Sequence, residues 1–168
     1  MIYAGFWRRF AAYWIDAFPI FLVTGLVFYF FLGFDETVRA YWHGPKDIES
    51  RELFLAERNH IRDLSLALWM IYGVLMDASR LQGTFGKRLM GMCVVDEAGG
   101  RLSFKRALAR NAGKILSALP LFLGFLWIGW SKTKQGWHDR MSHCFIVRIP
   151  KETGSPACLH PYRVNRAG

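Results

Sequence analysis

Apolar residues along this chain are gathered into runs, with the charged residues collected between them. The first run extends from Phe10 to Phe34 and includes FPIFLVTGLVFYFFLGF. About 20 apolar residues suffice for a helix to span a bilayer, so this run predicts a transmembrane helix. Arg8 and Arg9 precede it, as basic residues precede a signal sequence. The run is too long for one, however, carries Asp16, and lacks a small-x-small cleavage site, so a retained helix is expected. Pro19 is placed to kink it, which a membrane helix tolerates when neighbours satisfy the freed carbonyl.

Residues 35–63 are polar, and within them the stretch from Asp47 to Arg62 spaces Ile48, Leu53, Phe54, Leu55 and Ile61 as an amphipathic helix would. A second span follows from Leu64 to about Ala78. It is short, and needs either the preceding helix as an extension or a locally thinned bilayer. Beyond it, Gly83, Gly86 and Gly91 break helical patterning. The run MCVV reads as a strand, residues 96–100 as a turn, and Arg101 to Phe104 as a returning strand of a hairpin. Ser103 is placed to cap a basic helix, FKRALARNAGKIL. A third apolar stretch runs from Ile115 to Trp130, and CFIVRI from Cys144 to Ile149 is a further strand. The tail from Pro150 carries Gly, Ser and Pro and is expected to be disordered. Residues 4–149 thus read as one domain and 150–168 as its tail.

Charge sets the expected topology. Lys and Arg number two before the first span, eight in residues 80–114 and seven in residues 132–168; the five in residues 35–63 are outweighed by seven acids. The positive-inside tendency places the three basic groups on the cytoplasmic side. That requires an even number of crossings, so the third stretch is expected to break at Leu119-Pro120 and re-enter as a bent hairpin. CFIVRI then shares a cytoplasmic sheet with MCVV. The rival is a true third span from Gly113 to Trp130, whose helical length of about 27 Å is barely enough to cross. The expected fold is therefore a mainly α-helical membrane protein. It has two transmembrane helices, a third apolar segment that re-enters or spans, and a small cytoplasmic β-hairpin or sheet.

Composition agrees: 52% of the 168 residues are hydrophobic, and Trp and Tyr sit near the ends of the apolar runs, where amphipathic rings prefer the headgroup region. The net charge of +9 admits a nucleic-acid reading, but basic residues flanking membrane spans meet anionic lipid headgroups, which is the simpler account. Cys93, Cys144 and Cys158 form no C-x-x-C pair, and His138, His143 and Cys144 match no metal spacing. No cofactor is implied.

Several ionisable residues lie at membrane depth. Arg9 and Asp16 are two helical turns apart, nearly on one face, with Tyr13 between them. An ionised Asp near the bilayer centre costs about 2.5–3.5 kcal/mol on insertion scales, so Asp16 should face protein or water. Such residues are functional candidates by default, the alternative being an internal ion pair that fixes helix packing. Asp77, closing the second span, falls at a depth like that of Arg9 and suggests an Arg9–Asp77 pair, with Lys114 or Arg110 left for Asp16. Residues 82–88, QGTFGKR, superficially resemble a phosphate loop. Two residues rather than four separate the glycines, and Arg follows Lys where Ser or Thr is needed. A tight cytoplasmic turn with its basic residues at the headgroups is expected instead. His138 is placed to titrate near neutral pH. No nucleophile or positioned triad is identifiable, so no enzymatic activity is expected.

The order of these pieces resembles the RDD family, named for one arginine and two aspartates. The matching segments are AGFWRRFAAYWID from Ala4 to Asp16, QGTFGKRLMG from Gln82 to Gly91, VVD from Val94 to Asp96, and WHDR from Trp137 to Arg140. The resemblance assigns the arginine to Arg9, with Arg8 as competitor, and the aspartates to Asp16 and Asp139, the latter at the cytoplasmic edge. His138 stands where the family pattern has Leu or Gly, and Ser142-His143 stands where Gly-Thr is expected. The resemblance implies transport of an unassigned ligand or cation/proton exchange. So short a chain would then act as a homo-oligomer in the cell (inner) membrane, multi-pass, with its N-terminus cytoplasmic. The alternative is a non-transporting scaffold or assembly partner for another membrane protein, in which the charges lock the helices.

Overall fold

The computed structural model describes residues 2–45, 47–118 and 123–149. The elements in chain order are α1 (Phe6–Phe31), α2 (Phe34–His43), α3 (Ile48–Ala78), α4 (Phe85–Leu89), β1 (Met92–Asp96), α5 (Phe104–Ala118), α6 (Leu123–Trp130), α7 (Trp137–Met141) and β2 (Cys144–Arg148). Among the described residues, α1 is the helix long and apolar enough to cross a bilayer. It runs continuously through Pro19. The chain divides into two compact units, residues 17–69 and residues 1–16 with those from 70 onward.

In the first of these units, the amphipathic helix expected from Asp47 and the second apolar run are one helix, α3, of 31 residues. The second apolar run is thus the C-terminal part of a longer helix. Residues 34–43 form a helix that the polar composition did not predict. Phe34 and Tyr41, seven residues apart and so on one face, both stack on Phe54, at 5.9 and 4.4 Å between ring centroids. Thr24 and Ser65 donate their hydroxyls to the carbonyls of Ile20 and Ile61, so neither helix carries an unsatisfied hydroxyl there.

The other unit is built around a two-stranded antiparallel sheet. β1 pairs with β2 in the register Met92 with Arg148 through Asp96 with Cys144. This is the partnership expected between MCVV and CFIVRI. The N-terminal segment runs alongside β2: Ala4 N–H donates to Ile146 O, Arg148 N–H donates to Ile2 O, and Tyr3 bridges Val147. One face of the sheet carries Met92, Val94, Cys144 and Ile146 into a core with Ala4, Ala12, Val74, Ala78, Leu102 and Ala107. The other face buries Cys93, Val95 and Val147 beside Tyr3, Phe145 and Ile149. Cover on both faces explains why MCVV is uninterrupted rather than alternating.

The hairpin expected between MCVV and Arg101–Phe104 does not form. Asp96 Oδ1 accepts the N–H groups of Ala98 and Gly100 at 2.9 and 2.7 Å, closing the turn on its own side chain. Ser103 Oγ accepts Arg106 N–H and starts α5, as its position predicted. The strand that would have returned is therefore consumed by a helix start, and β1 takes its partner from fifty residues further on. The expected break at Leu119-Pro120 and the tail from Pro150 lie outside the described residues.

Candidate functional site: a buried ion network

The charged residues of the second unit converge on its interior. Arg9, in the first turn of α1, donates Nε to Ala4 O at 3.0 Å, Nη1 to Asp139 Oδ2 and Nη2 to Lys134 O. Arg110, from α5, donates Nε to Asp139 Oδ1 at 2.9 Å and Nη1 to Asp77 Oδ2. Lys87, from α4, reaches Asp77 Oδ1 at 2.5 Å. Asp77 and Asp139 are wholly buried, and each lies between two cations. Asp139 also accepts Gly136 N–H at 3.2 Å and so caps α7.

Asp16 is held differently. Its Oδ2 accepts the Thr84 hydroxyl at 2.5 Å, and its Oδ1 accepts Gly86 N–H at 2.7 Å and the Tyr72 hydroxyl at 3.2 Å. The Tyr72 oxygen in turn accepts Phe85 N–H at 2.8 Å. Three neutral donors thus clamp this carboxylate to the start of α4. The approach is close enough to require glycine: a Cβ on Gly86 would sit 2.3 Å from Ala12 O and 2.9 Å from Asp16 Oδ2.

Several expectations are corrected by this arrangement. Arg9 pairs with Asp139, not Asp77, because residue 139 arrives at the N-terminal turn of α1 on α7 while Asp77 is taken by Lys87 and Arg110. Arg110 goes to Asp139 and Asp77 rather than to Asp16. Lys87 is buried in the network rather than spread at the headgroups. Arg8 is exposed and only reaches Met90 O at 3.4 Å, so Arg9 is the arginine of the network. Tyr13 is 40% exposed. His138 does not titrate near neutral pH. Burial pushes its imidazolium down to about 3, with Asp139 opposing and Arg110 and Lys114 adding to the shift. Its Nδ1 is 3.1 Å from Ser117 Oγ. Burial by itself would raise the Asp139 carboxyl, but His138, Arg110 and Arg9 outweigh it and hold it well below the ordinary range. The Cys144 thiol is pushed up to about 11 by burial, which makes it an inert core residue.

Sequence reasoning gave Arg110 and Lys87 subordinate parts, although a signal was present. Arg110, Asn111, Lys114 and Ser117 recur at helical spacing on α5 and form its polar face. That face is turned inward, with Arg110, Asn111 and Ser117 buried. The outward faces are apolar: Leu108 and Ile115 on α5, Phe85 and Leu89 on α4, and Trp137 and Met141 on α7 are all exposed. Charge inside and hydrocarbon outside is the reverse of a water-soluble domain, and suits a lipid environment.

These features define a class, a helical membrane protein with an internal ion network beside a small sheet. The chain belongs to the RDD family, whose profile matches residues 3–143. It is 35% identical over 149 residues to "Uncharacterized protein YxaI" of Bacillus subtilis (strain 168), covering 86% of this chain and 96% of that protein. No solved structure matches it.

Proposed function

We propose that the protein is a multi-pass membrane module in which Arg9, Asp16 and Asp139 lock the helices, serving as a scaffold or assembly partner. The observation that carries this reading is the saturation of Asp16 by Thr84, Gly86 and Tyr72. A carboxylate already holding three donors is better suited to fixing α4 against α1 than to taking up and releasing an ion. Residues 2–4, β1 and β2 share one sheet. Continuous backbone pairing of this kind supports one membrane side for all three segments. It therefore supports an even number of crossings both before β1 and between β1 and β2. The basic tendency puts that side in the cytoplasm. On this topology α1 and the apolar half of α3 cross, α5 and α6 form the re-entrant hairpin, and the surrounding basic residues meet anionic headgroups.

A second reading is a small cation/proton exchanger working as a homo-oligomer, and a specific observation favours it. The network and the Asp16 clamp hold Arg9, Lys87 and Arg110 against Asp16, Asp77 and Asp139, and Lys114 adds a fourth cation beside them. Asp16→Asn separates the two readings. The lock predicts a lower melting temperature or failed membrane assembly, with no cation-driven proton flux in wild-type proteoliposomes. A robust wild-type flux that vanishes in Asp16→Asn protein of unchanged stability would overturn the lock.

A further inference from the structure

A cavity of about 500 Å³ opens between the C-terminal turn of α3 and the start of α5. Ligand clefts run from about 300 to 1,000 Å³. Leu75, Ala78 and Ser79 line it from α3, and residues 101–104 line it from the other side. Leu75 and Phe104 are each 56% exposed, while Ala78 and Leu102 are buried. No carboxylate lines the cavity. Arg101 is its charged group. The Arg101 Nε donates to Ala78 O at 2.6 Å. That carbonyl lies in the last turn of α3, where carbonyls have no partner further along the helix. The bond fastens the guanidinium at the cavity and leaves its two Nη groups without a hydrogen bond among the described residues. Ser79 is spent, since its hydroxyl donates to Met76 O and accepts Leu81 N–H. Ser103 is not: its Oγ accepts Arg106 N–H at 3.4 Å, and among the described residues its own hydrogen is left to donate.

We propose that this cavity binds an anionic phospholipid, with the Arg101 Nη groups and the Ser103 hydroxyl holding the phosphate and an acyl chain lying along Leu75 and Phe104. A phosphate ester matches the donors, because a guanidinium takes two phosphate oxygens in parallel and a hydroxyl takes a third. The apolar pair beside them requires hydrocarbon on the same molecule. The nearby acids do not compete for Arg101. Asp77 is turned inward to Lys87 and Arg110, and Asp96 is spent on the N–H groups of Ala98 and Gly100. Arg80, Lys105 and Arg106 flank the lining residues in sequence and are exposed. Their field favours a net negative headgroup over a zwitterionic one, whose ammonium it repels. The inference rests on the topology proposed above, which puts the end of α3 and the start of α5 at the level of the cytoplasmic headgroups. It goes further by singling out one defined site among the basic residues that meet lipid.

The test is native mass spectrometry of the full chain in detergent micelles, titrated with phosphatidylglycerol, phosphatidylcholine or inorganic phosphate. Wild-type protein should take up one phosphatidylglycerol ahead of any further adduct, at least about tenfold more tightly than phosphatidylcholine. Arg101→Gln should weaken that first adduct by at least about tenfold, the worth of a charge-assisted hydrogen bond. Arg8→Gln makes the same change of charge at a position that does not line the cavity, and should leave the adduct intact. Arg101 also ties the end of α3 to the segment before α5, so Arg101→Gln alone does not separate binding from folding. Ser103→Asp does. Aspartate starts a helix as well as serine does, leaves the Arg101–Ala78 bond in place and puts a carboxylate where the phosphate would sit. It should abolish the preference for phosphatidylglycerol at an unchanged melting temperature. The proposal is overturned if wild-type protein shows no such preference, if Arg101→Gln and Arg8→Gln weaken binding equally, or if Ser103→Asp binds like wild type. Displacement of the lipid by an equal concentration of inorganic phosphate would likewise overturn it in favour of a free-anion site. Binding in micelles does not depend on which side of a membrane the cavity faces. Its failure is therefore distinct from failure of the topology, which a reporter fused to the C-terminus reads.

Discussion

Two kinds of buried aspartate occur in this protein. Asp77 and Asp139 are each bracketed by two cations and share Arg110 between them. Asp16 is enclosed by a hydroxyl from Thr84, another from Tyr72 and the backbone N–H of Gly86. The difference teaches how the charge is dispersed. The first pair forms a network in which losing one member strands its partners. The second is a clamp of separate hydrogen bonds, each removable on its own. The first arrangement should fail abruptly under mutation and the second by degrees.

The largest expected effect is on the network. Arg110→Met fills similar volume but leaves Asp77 and Asp139 each short of one bridge while fully buried. Removing one partner of a buried ion pair typically costs about 3–5 kcal/mol. Denaturant or thermal unfolding in micelles should show loss at least of this size, or no recoverable folded protein. A loss under about 1 kcal/mol would mean that water reaches the carboxylates and the network reading is wrong. An intermediate effect is expected in the clamp. Thr84→Val keeps the shape but removes the hydroxyl that reaches Asp16, and should cost about 1.5–3 kcal/mol, the range for a hydrogen bond to a charged group. A cost equal to that of Arg110→Met would erase the distinction between the two sites. The smallest effect belongs to Arg8→Gln, because Arg8 is exposed beside the network rather than inside it. Its unfolding midpoint should move by no more than about 0.5 kcal/mol equivalent. A large shift would reopen the choice between Arg8 and Arg9.

Much of this was legible beforehand, for reasons tied to particular residues. The pairing of MCVV with CFIVRI followed from their apolar, β-branched character and from the need to place both on one side of the membrane. The amphipathic pattern from Asp47 to Arg62 gave the start of α3. The false hairpin arose because Arg101 to Phe104 alternates as a strand does. The local hydrogen bonds of Asp96 and the start of α5 at Ser103 overrode that alternation. Depth along a helix fixes only one coordinate, so a shared depth does not pair Arg9 with Asp77, and α7 delivers Asp139 to Arg9 instead.

By itself the sequence determined that the apolar runs are segregated, that the first is long enough to cross a bilayer, and that an acid, Asp16, stands within it. Hydrophobic patterning and charge are local properties, and local properties can be read along a line. Only the tertiary structure decided which acid meets which base. An ion pair forms over a few ångströms, and the partners here lie up to 130 positions apart along the chain. The same is true of the inward turn of Arg110, Asn111 and Lys114: their spacing shows a polar face, but only packing against α3 and α7 settles that it faces the interior rather than water.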